Sequence, residues 1–319
     1  MRRVQSGGLH HHDQEKRMNM PSFPEFKLVG LEDRETVQHF IRRFPSAACE
    51  INFANIFIWR NFEHPKLTTI NGNLCIQCEP PSEPAYFLQP LGDTDIRRTV
   101  ETCLTFSPRL SRVPEDFVEQ HCSEFRRELD ANNFDYVYLT SDLISLKGKK
   151  YDGKRNRIRK FERNTRYRYL TLSPEHLEGC RRLFEQWVEA KAEHRQPVGE
   201  EQKTAILEAI AHFQELELVG GAIEVEGRVE AFSIGGRLNA DTAVIHIEIA
   251  NPDYDGLSQL INREFVRHEW AAFRFINREQ DLGVAGLRRA KMSYHPHHLV
   301  KKYNVWNGSA QRQTSSSAG

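Results

Sequence analysis

The sequence lacks any apolar run approaching the ~18–20 residues that a membrane-spanning helix requires. Its opening stretch, MRRVQSGGLHHHDQEKR, has no apolar segment behind the arginines, so it does not read as a secretory signal. Cysteine is sparse. Six are scattered over 319 residues, and only Cys75 and Cys78 form a C-x-x-C. A zinc site needs a second ligand pair at matching spacing, which is missing. Scattered cysteines without a secretory signal indicate a reducing, cytoplasmic compartment. Net charge is missing too, with 44 Lys and Arg against 44 Asp and Glu. That excludes a uniformly basic surface but not a local one. Hydrophobic and charged fractions of 39% and 28% exclude wholesale disorder and coiled coil, and the length suits two domains.

Both ends, residues 1–22 and 307–319, are polar and read as disordered arms. Between them one order of elements appears twice. Lys66–Ile70 and Asn73–Cys78 flank Asn71-Gly72, a hairpin signal that makes Cys75 and Cys78 strand residues of opposite face. A strand (85–89), a helix (95–104), a longer helix (114–129) and the strand FDYVYLT complete the first half. In the second half GGAIEVEGRVEAFSIGG alternates apolar and polar residues around Glu226-Gly227. TAVIHIEIA, a helix from Leu257 to Trp270 and the strand AAFRFIN follow. Two helices precede this hairpin: one with Ser173 as N-cap and Pro174 at its first position, and one over 200–214. Two copies of one α/β unit are the economical reading.

Two segments concentrate chemistry. Residues 147–168 hold eleven Lys and Arg against Asp152 and Glu162, a net of +9, so the remainder carries −9. From about Lys154 this segment is expected to be helical with only Ile158 and Phe161 as an apolar stripe. It is either a solvated interdomain helix or a groove for a phosphate-rich partner. The second segment, 273–303, ends a strand in Asn277, Arg278, Glu279, Gln280 and Asp281. Two glycines, Arg288, Arg289, Lys291 and Ser293-Tyr294 follow. Polar residues at the end of a central strand mark the usual place of an α/β active site. His295, His297 and His298 follow a Pro bend without partnering carboxylates, so no metal site is assigned.

Lys147–Asn156 (KGKKYDGKRN) and Asn277–Pro296 (NREQDLGVAGLRRAKMSYHP) resemble the paired signatures of bacterial proteins related to the phosphatidylglycerol lysyltransferase C-terminal domain. That group resembles Fem-type, aminoacyl-tRNA-dependent transferases. The resemblance spans residues 23–306 and implies an α/β (α+β) fold of two tandem GNAT-like domains with mixed, mostly antiparallel sheets. Its domains would cover 23–146 and 169–306, joined by a basic helix over 147–168, with the second domain catalytic.

On this reading the protein transfers an acyl or aminoacyl group to an amine or hydroxyl. His246 and Glu248, two apart on one strand, offer a base, and Tyr294 an acid. Lys150, Lys154, Arg155, Asn156, Arg159, Asn277, Arg278, Glu279, Asp281, Arg288 and Lys291 are candidate donor- or substrate-binding residues. The donor would be aminoacyl-tRNA or acyl-CoA, and an anionic lipid head group is a further candidate partner. A CoA pyrophosphate needs main-chain N–H groups in a glycine-rich turn at a helix start. The turn NPDYDGLSQ has Gly256 alone between acids, which disfavours CoA. The alternatives are an acetyl-CoA-dependent N-acetyltransferase, and a non-catalytic module binding tRNA or anionic lipid. Oligomeric state is left open.

Overall fold

The two hairpin turns form where the sequence asks for them. Asn71 (φ 53°) with Gly72 (φ 80°), and Glu226 (φ 49°) with Gly227 (φ 77°), take the left-handed backbone that two-residue turns require. A computed structural model describes residues 20–194 and 196–309, which fall into two compact units. One takes Phe62–Asp130 with the segments up to Pro45 and from Lys302. The other takes Ser46–Asn61 and Ala131–Lys301. Most of the two terminal arms lies outside the described residues.

The first unit is built on a seven-stranded sheet. Its strands are β1 (Lys27–Leu28), β2 (Lys66–Ile70), β3 (Asn73–Cys78), β4 (Tyr86–Phe87), β5 (Arg109–Pro114) and β6 (Phe125–Leu129), together with a C-terminal strand. The second unit also has seven strands: β7 (Asp135–Leu139), β8 (Tyr167–Thr171), β9 (Val219–Val225), β10 (Arg228–Arg237), β11 (Thr242–Ala250), β12 (Phe275–Asn277) and β13 (His298–Val300). The C-terminal strand β14 (Lys302–Ser309) lies between β5 and β6 in the first sheet. The second sheet runs β13-β7-β12-β11-β10-β9-β8. Among the strands of the described residues, β4–β5 and β11–β12 pair in parallel and the other pairs are antiparallel. This is the mixed, mostly antiparallel α/β architecture expected.

Four local expectations are corrected. The helix expected over 114–129 stops at His121, and Phe125–Leu129 is a strand. Residues 307–309, expected in a disordered tail, extend β14. Both errors share a cause, since β6 pairs with β14 and neither strand has a partner near it in sequence. The strand expected over 271–277 is also shorter, beginning only at Phe275. Asp135–Leu139, expected as the last strand of the first half, pairs with β12 and β13 in the second sheet.

Helix Asp152–Asn164 carries the basic segment within the second unit. Its apolar stripe is as narrow as expected. Ile158 and Phe161 are buried with Tyr151 in the core formed by Tyr138, Ile245, Leu260 and Phe265. Burying two such side chains contributes about 3–6 kcal/mol, which fixes the helix while leaving its cations outside. Helix Leu257–Glu269 begins at Gly256 (φ 95°), where an added Cβ would meet the Arg157 main-chain oxygen at 2.3 Å. Glycine therefore lets the basic helix lie directly against that helix start.

Candidate functional site

β11 and β12 pair over only three residues, from Thr242–Phe275 to Val244–Asn277. β11 runs on to Ala250 while the chain leaves the sheet after Asn277, opening a wedge. A β-bulge lies in the same place. Ile234 faces Ile247 and Gly235 faces Ile245, leaving His246 as the extra residue of β11. An added Cβ at Gly235 would come within 2.2 Å of the Val244 oxygen, so the bulge needs glycine there.

Glu279 has φ 56°, and this left-handed residue breaks strand alternation. Arg278 and Glu279 consequently both reach back to β11. His246 Nδ1 lies 2.7 Å from Glu279 Oε1, which also accepts from Asn55 Nδ2 at 3.0 Å. The His246 side chain is only 1% exposed, and its Nε2 is buried with no partner among the described residues. Because a carboxylate can only accept, Nδ1 is the donor, and in the neutral imidazole Nε2 is the nitrogen that presents a lone pair. Glu248 is held differently: one oxygen takes Arg278 Nη2 at 3.0 Å, the other Asn262 Nδ2 at 2.7 Å.

Tyr294 stands beside the same arginine. Its ring centroid is 4.8 Å from the Arg278 guanidinium and 3.9 Å from Lys154 Nζ. Its main-chain oxygen accepts from the Tyr151 hydroxyl at 2.9 Å. No hydrogen bond reaches the Tyr294 hydroxyl among the described residues, and burial pushes that phenol up. Lys154 also donates to Ser293 Oγ at 2.8 Å. Burial, then the positive charges of Arg278 and Arg157, bring its ammonium down to about 8.

The structure divides the remaining expected residues into those that shape the site and those that face outward. Lys291 is buried, and its ammonium donates to the main-chain oxygens of Arg278 (2.6 Å) and Gln280. It braces the segment that carries Glu279. Desolvation brings Lys291 down to about 8, against the pull of Glu279. Asn277 donates to Asp135 Oδ2 at 3.0 Å. Asp281 accepts from Arg288 at 2.7 Å and from the Tyr136 hydroxyl at 2.5 Å. Burial pushes the Asp281 carboxyl up, but the hydrogen bonds of Arg288, Tyr136 and Gly283 outweigh it and hold it near 2. Arg155 is spent on Asp152 and on the main-chain oxygens of Leu146 and Gly148. Lys150 lies 3.9 Å from Asp142, and Asn156 and Arg159 face outward from their helix. With Glu162 and Arg163 these last two line an open surface depression of about 400 Å³.

Four further residues belong to this neighbourhood. Asn55 holds Glu279. Cys49 Sγ lies 3.2 Å from Asp135 Oδ1, and Gln280 Nε2 donates to Glu50 Oε1 at 2.9 Å. Cys49, Glu50 and Asp135 are all buried with their ligand-type atoms within 4.8 Å of one another. The signal in the sequence is that Glu50, Asn52 and Asn55 interrupt the apolar stretch CEINFAN, and Asp135 stands alone at the start of a strand.

Fold and wedge together define a tandem GNAT-like α/β protein. The family model described as phosphatidylglycerol lysyltransferase, C-terminal, matches residues 41–306, and the chain belongs to that family. A conserved protein of unknown function from Bacteroides thetaiotaomicron is 29% identical, covering 88% of this chain and 98% of its own, with a TM-score of 0.81. L-PGS from Bacillus licheniformis is 15% identical over 88% of this chain and 94% of its own, with a TM-score of 0.63. FemX is 7% identical over 88% and 97%, with a TM-score of 0.52. These last two share the fold. No curated protein matches the sequence. The family points to an acyl or aminoacyl transferase related to the phosphatidylglycerol lysyltransferases. Among the described residues no helix is long and apolar enough to cross a membrane.

Proposed function

We propose that the second unit transfers an aminoacyl group from the 3′ ester of a charged tRNA to a hydroxyl or amine acceptor. The observation that carries this reading is the Glu279–His246 pair, whose Nε2 lone pair is free. Of the two candidate bases on β11 we assign the role to His246, since each carboxylate oxygen of Glu248 already accepts a hydrogen bond while His246 Nε2 accepts none. His246 Nε2 takes the acceptor proton as the acceptor oxygen or nitrogen bonds to the ester carbonyl carbon. The carbon–oxygen bond to the ribose then breaks, and the Tyr294 hydroxyl returns a proton to the departing oxygen. Arg278, fixed by Glu248, stands where charge develops on the carbonyl oxygen.

The donor's phosphates would meet Lys154, Arg157 and Arg159. The helix start after β11 suits a CoA pyrophosphate poorly. The start of helix Leu257–Glu269 backs onto the Arg157 main chain, and Leu257 N–H turns to the Tyr254 oxygen. The residues there do not fit the group. The test is His246→Gln against Glu248→Gln in a transfer assay with charged tRNA. A fall with His246→Gln alone supports the assignment, and equal losses contradict it.

A further inference from the structure

One buried side-chain cluster of the second unit lies outside the transfer chemistry. Cys49 Sγ is 3.2 Å from Asp135 Oδ1, 3.6 Å from Glu50 Oε2 and 3.5 Å from Gln280 Oε1. Cys49 and Asp135 are fully buried, and Glu50 is 4% exposed. A thiol has one proton and serves one of these oxygens at a time. Two carboxylates buried beside it are costly unless a cation compensates them. The charge of Lys291 reaches Cys49 and Asp135, yet its ammonium donates to the main-chain oxygens of Arg278 and Gln280. Among the described residues it makes no ion pair with either carboxylate.

The spacing is that of a metal's ligand shell. With Zn–S of about 2.3 Å and Zn–O of about 2.0–2.2 Å at the tetrahedral angle, sulfur and oxygen ligands stand about 3.5–3.7 Å apart. The three distances around Cys49 Sγ scatter about that edge. Their outer supports are in place as well. Asp135 Oδ2 accepts from the Cys49 main-chain N–H at 2.9 Å and from Asn277 Nδ2 at 3.0 Å. Glu50 Oε1 accepts from Gln280 Nε2 at 2.9 Å. These bonds leave Asp135 Oδ1, Glu50 Oε2 and Gln280 Oε1 turned to the sulfur, as outer partners orient the ligands of a metal. A thiol among the donors selects a borderline cation such as zinc, since Mg²⁺ and Ca²⁺ take oxygen shells.

We propose that Cys49 Sγ, Glu50 Oε2, Asp135 Oδ1 and Gln280 Oε1 bind one divalent cation of zinc type. Binding releases the thiol proton to solvent. The ion ties together three segments far apart in the chain: the residues before the helix that carries Asn55, the start of β7, and the segment after β12 that carries Glu279. It thereby steadies the contact of Asn55 with Glu279. The site stands whether or not the transfer reading holds.

The experiment strips the full chain with a chelator and titrates it with Zn²⁺ and, separately, with Co²⁺. One ion per chain is expected, with a thiolate-to-cobalt charge-transfer band. Free Zn²⁺ at about a hundred times Kd should raise the melting temperature by about 5–10 °C. His10, His11 and His12 can also take a metal but give no sulfur band. Cys49→Ser should abolish the band and weaken Zn²⁺ binding by about a hundredfold or more, beyond the roughly 10–100-fold that an outer partner is worth. Gln280→Ala, at a half-buried position, should keep the band and weaken binding about tenfold, and it decides the matter where Cys49→Ser fails to fold. A stripped, folded chain that shows no sulfur band with Co²⁺ overturns the proposal. So does a folded Cys49→Ser or Gln280→Ala variant that binds Zn²⁺ as tightly as wild type.

Discussion

Replacing Glu279 by Gln tests the proposed base with little change of shape. The carboxylate accepts from His246 Nδ1 at 2.7 Å and thereby keeps the proton off Nε2. A Gln carbonyl oxygen in that place still accepts from Asn55 and from His246 Nδ1, but it carries no charge to stabilise the imidazolium that forms once Nε2 takes the acceptor proton. A positioned base is worth about 10²–10⁴ in rate, or about 3–5.5 kcal/mol of barrier. The same change gives up a charge-assisted hydrogen bond, costing about 1.5–3 kcal/mol of stability. Single-turnover transfer from charged tRNA and a thermal melt, run side by side, separate the two effects. The expected result is a loss of at least a hundredfold in the transfer step on a folded protein. A rate within threefold of wild type, with a normal melt, would refute the reasoning.

Other perturbations follow from the same geometry. Gly256→Ala forces a Cβ against the Arg157 oxygen at φ 95° and should lower stability by about 1–3 kcal/mol, read as a lower denaturation midpoint at constant slope. Asp281 sits near 2 in the folded chain against an ordinary 3.8. Its contribution of roughly 2 kcal/mol is full above pH 4 and fades as pH falls through 2, and Arg288→Met should remove most of that acid-side dependence. Lys154 is held near 8, so it loses its charge above that pH. Donor KM should rise from about pH 8 upward, and Lys154→Met should flatten that rise. Because unfolded Lys154 still binds its proton up to about 10.5, its effect on stability has the opposite sign, becoming more favourable between 8 and 10.5.

Where partners are near in sequence, the sequence is a good guide to this structure. Alternation and Glu226-Gly227 locate β9, β10 and β11, and the narrow stripe Ile158–Phe161 anticipates how the basic helix is buried. Pairing across long separations is invisible to local patterns. The alternating FRREL reads as helix until β14 is known to lie beside it. His246 and Glu279 each stand out in the sequence, but their partnership does not. It depends on the bulge at Gly235 and the left-handed turn at Glu279, neither of which composition announces. Asn55, Cys49, Glu50 and Asp135 were missed because their apolar surroundings suggest core, and only the fold brings them to the wedge. The charge balance shows the same limit. It sums to zero while the single segment 147–168 carries +9.

The central proposal is that this wedge moves an aminoacyl group from a tRNA ester rather than an acyl group from CoA. The most direct measurement offers the purified chain charged tRNA and a panel of acyl-CoA thioesters side by side, following donor consumption for each. The expected result is consumption of the charged tRNA, slowed at least a hundredfold by Glu279→Gln, with every thioester left intact. Saturable turnover of an acyl-CoA with the tRNA ester untouched would contradict it.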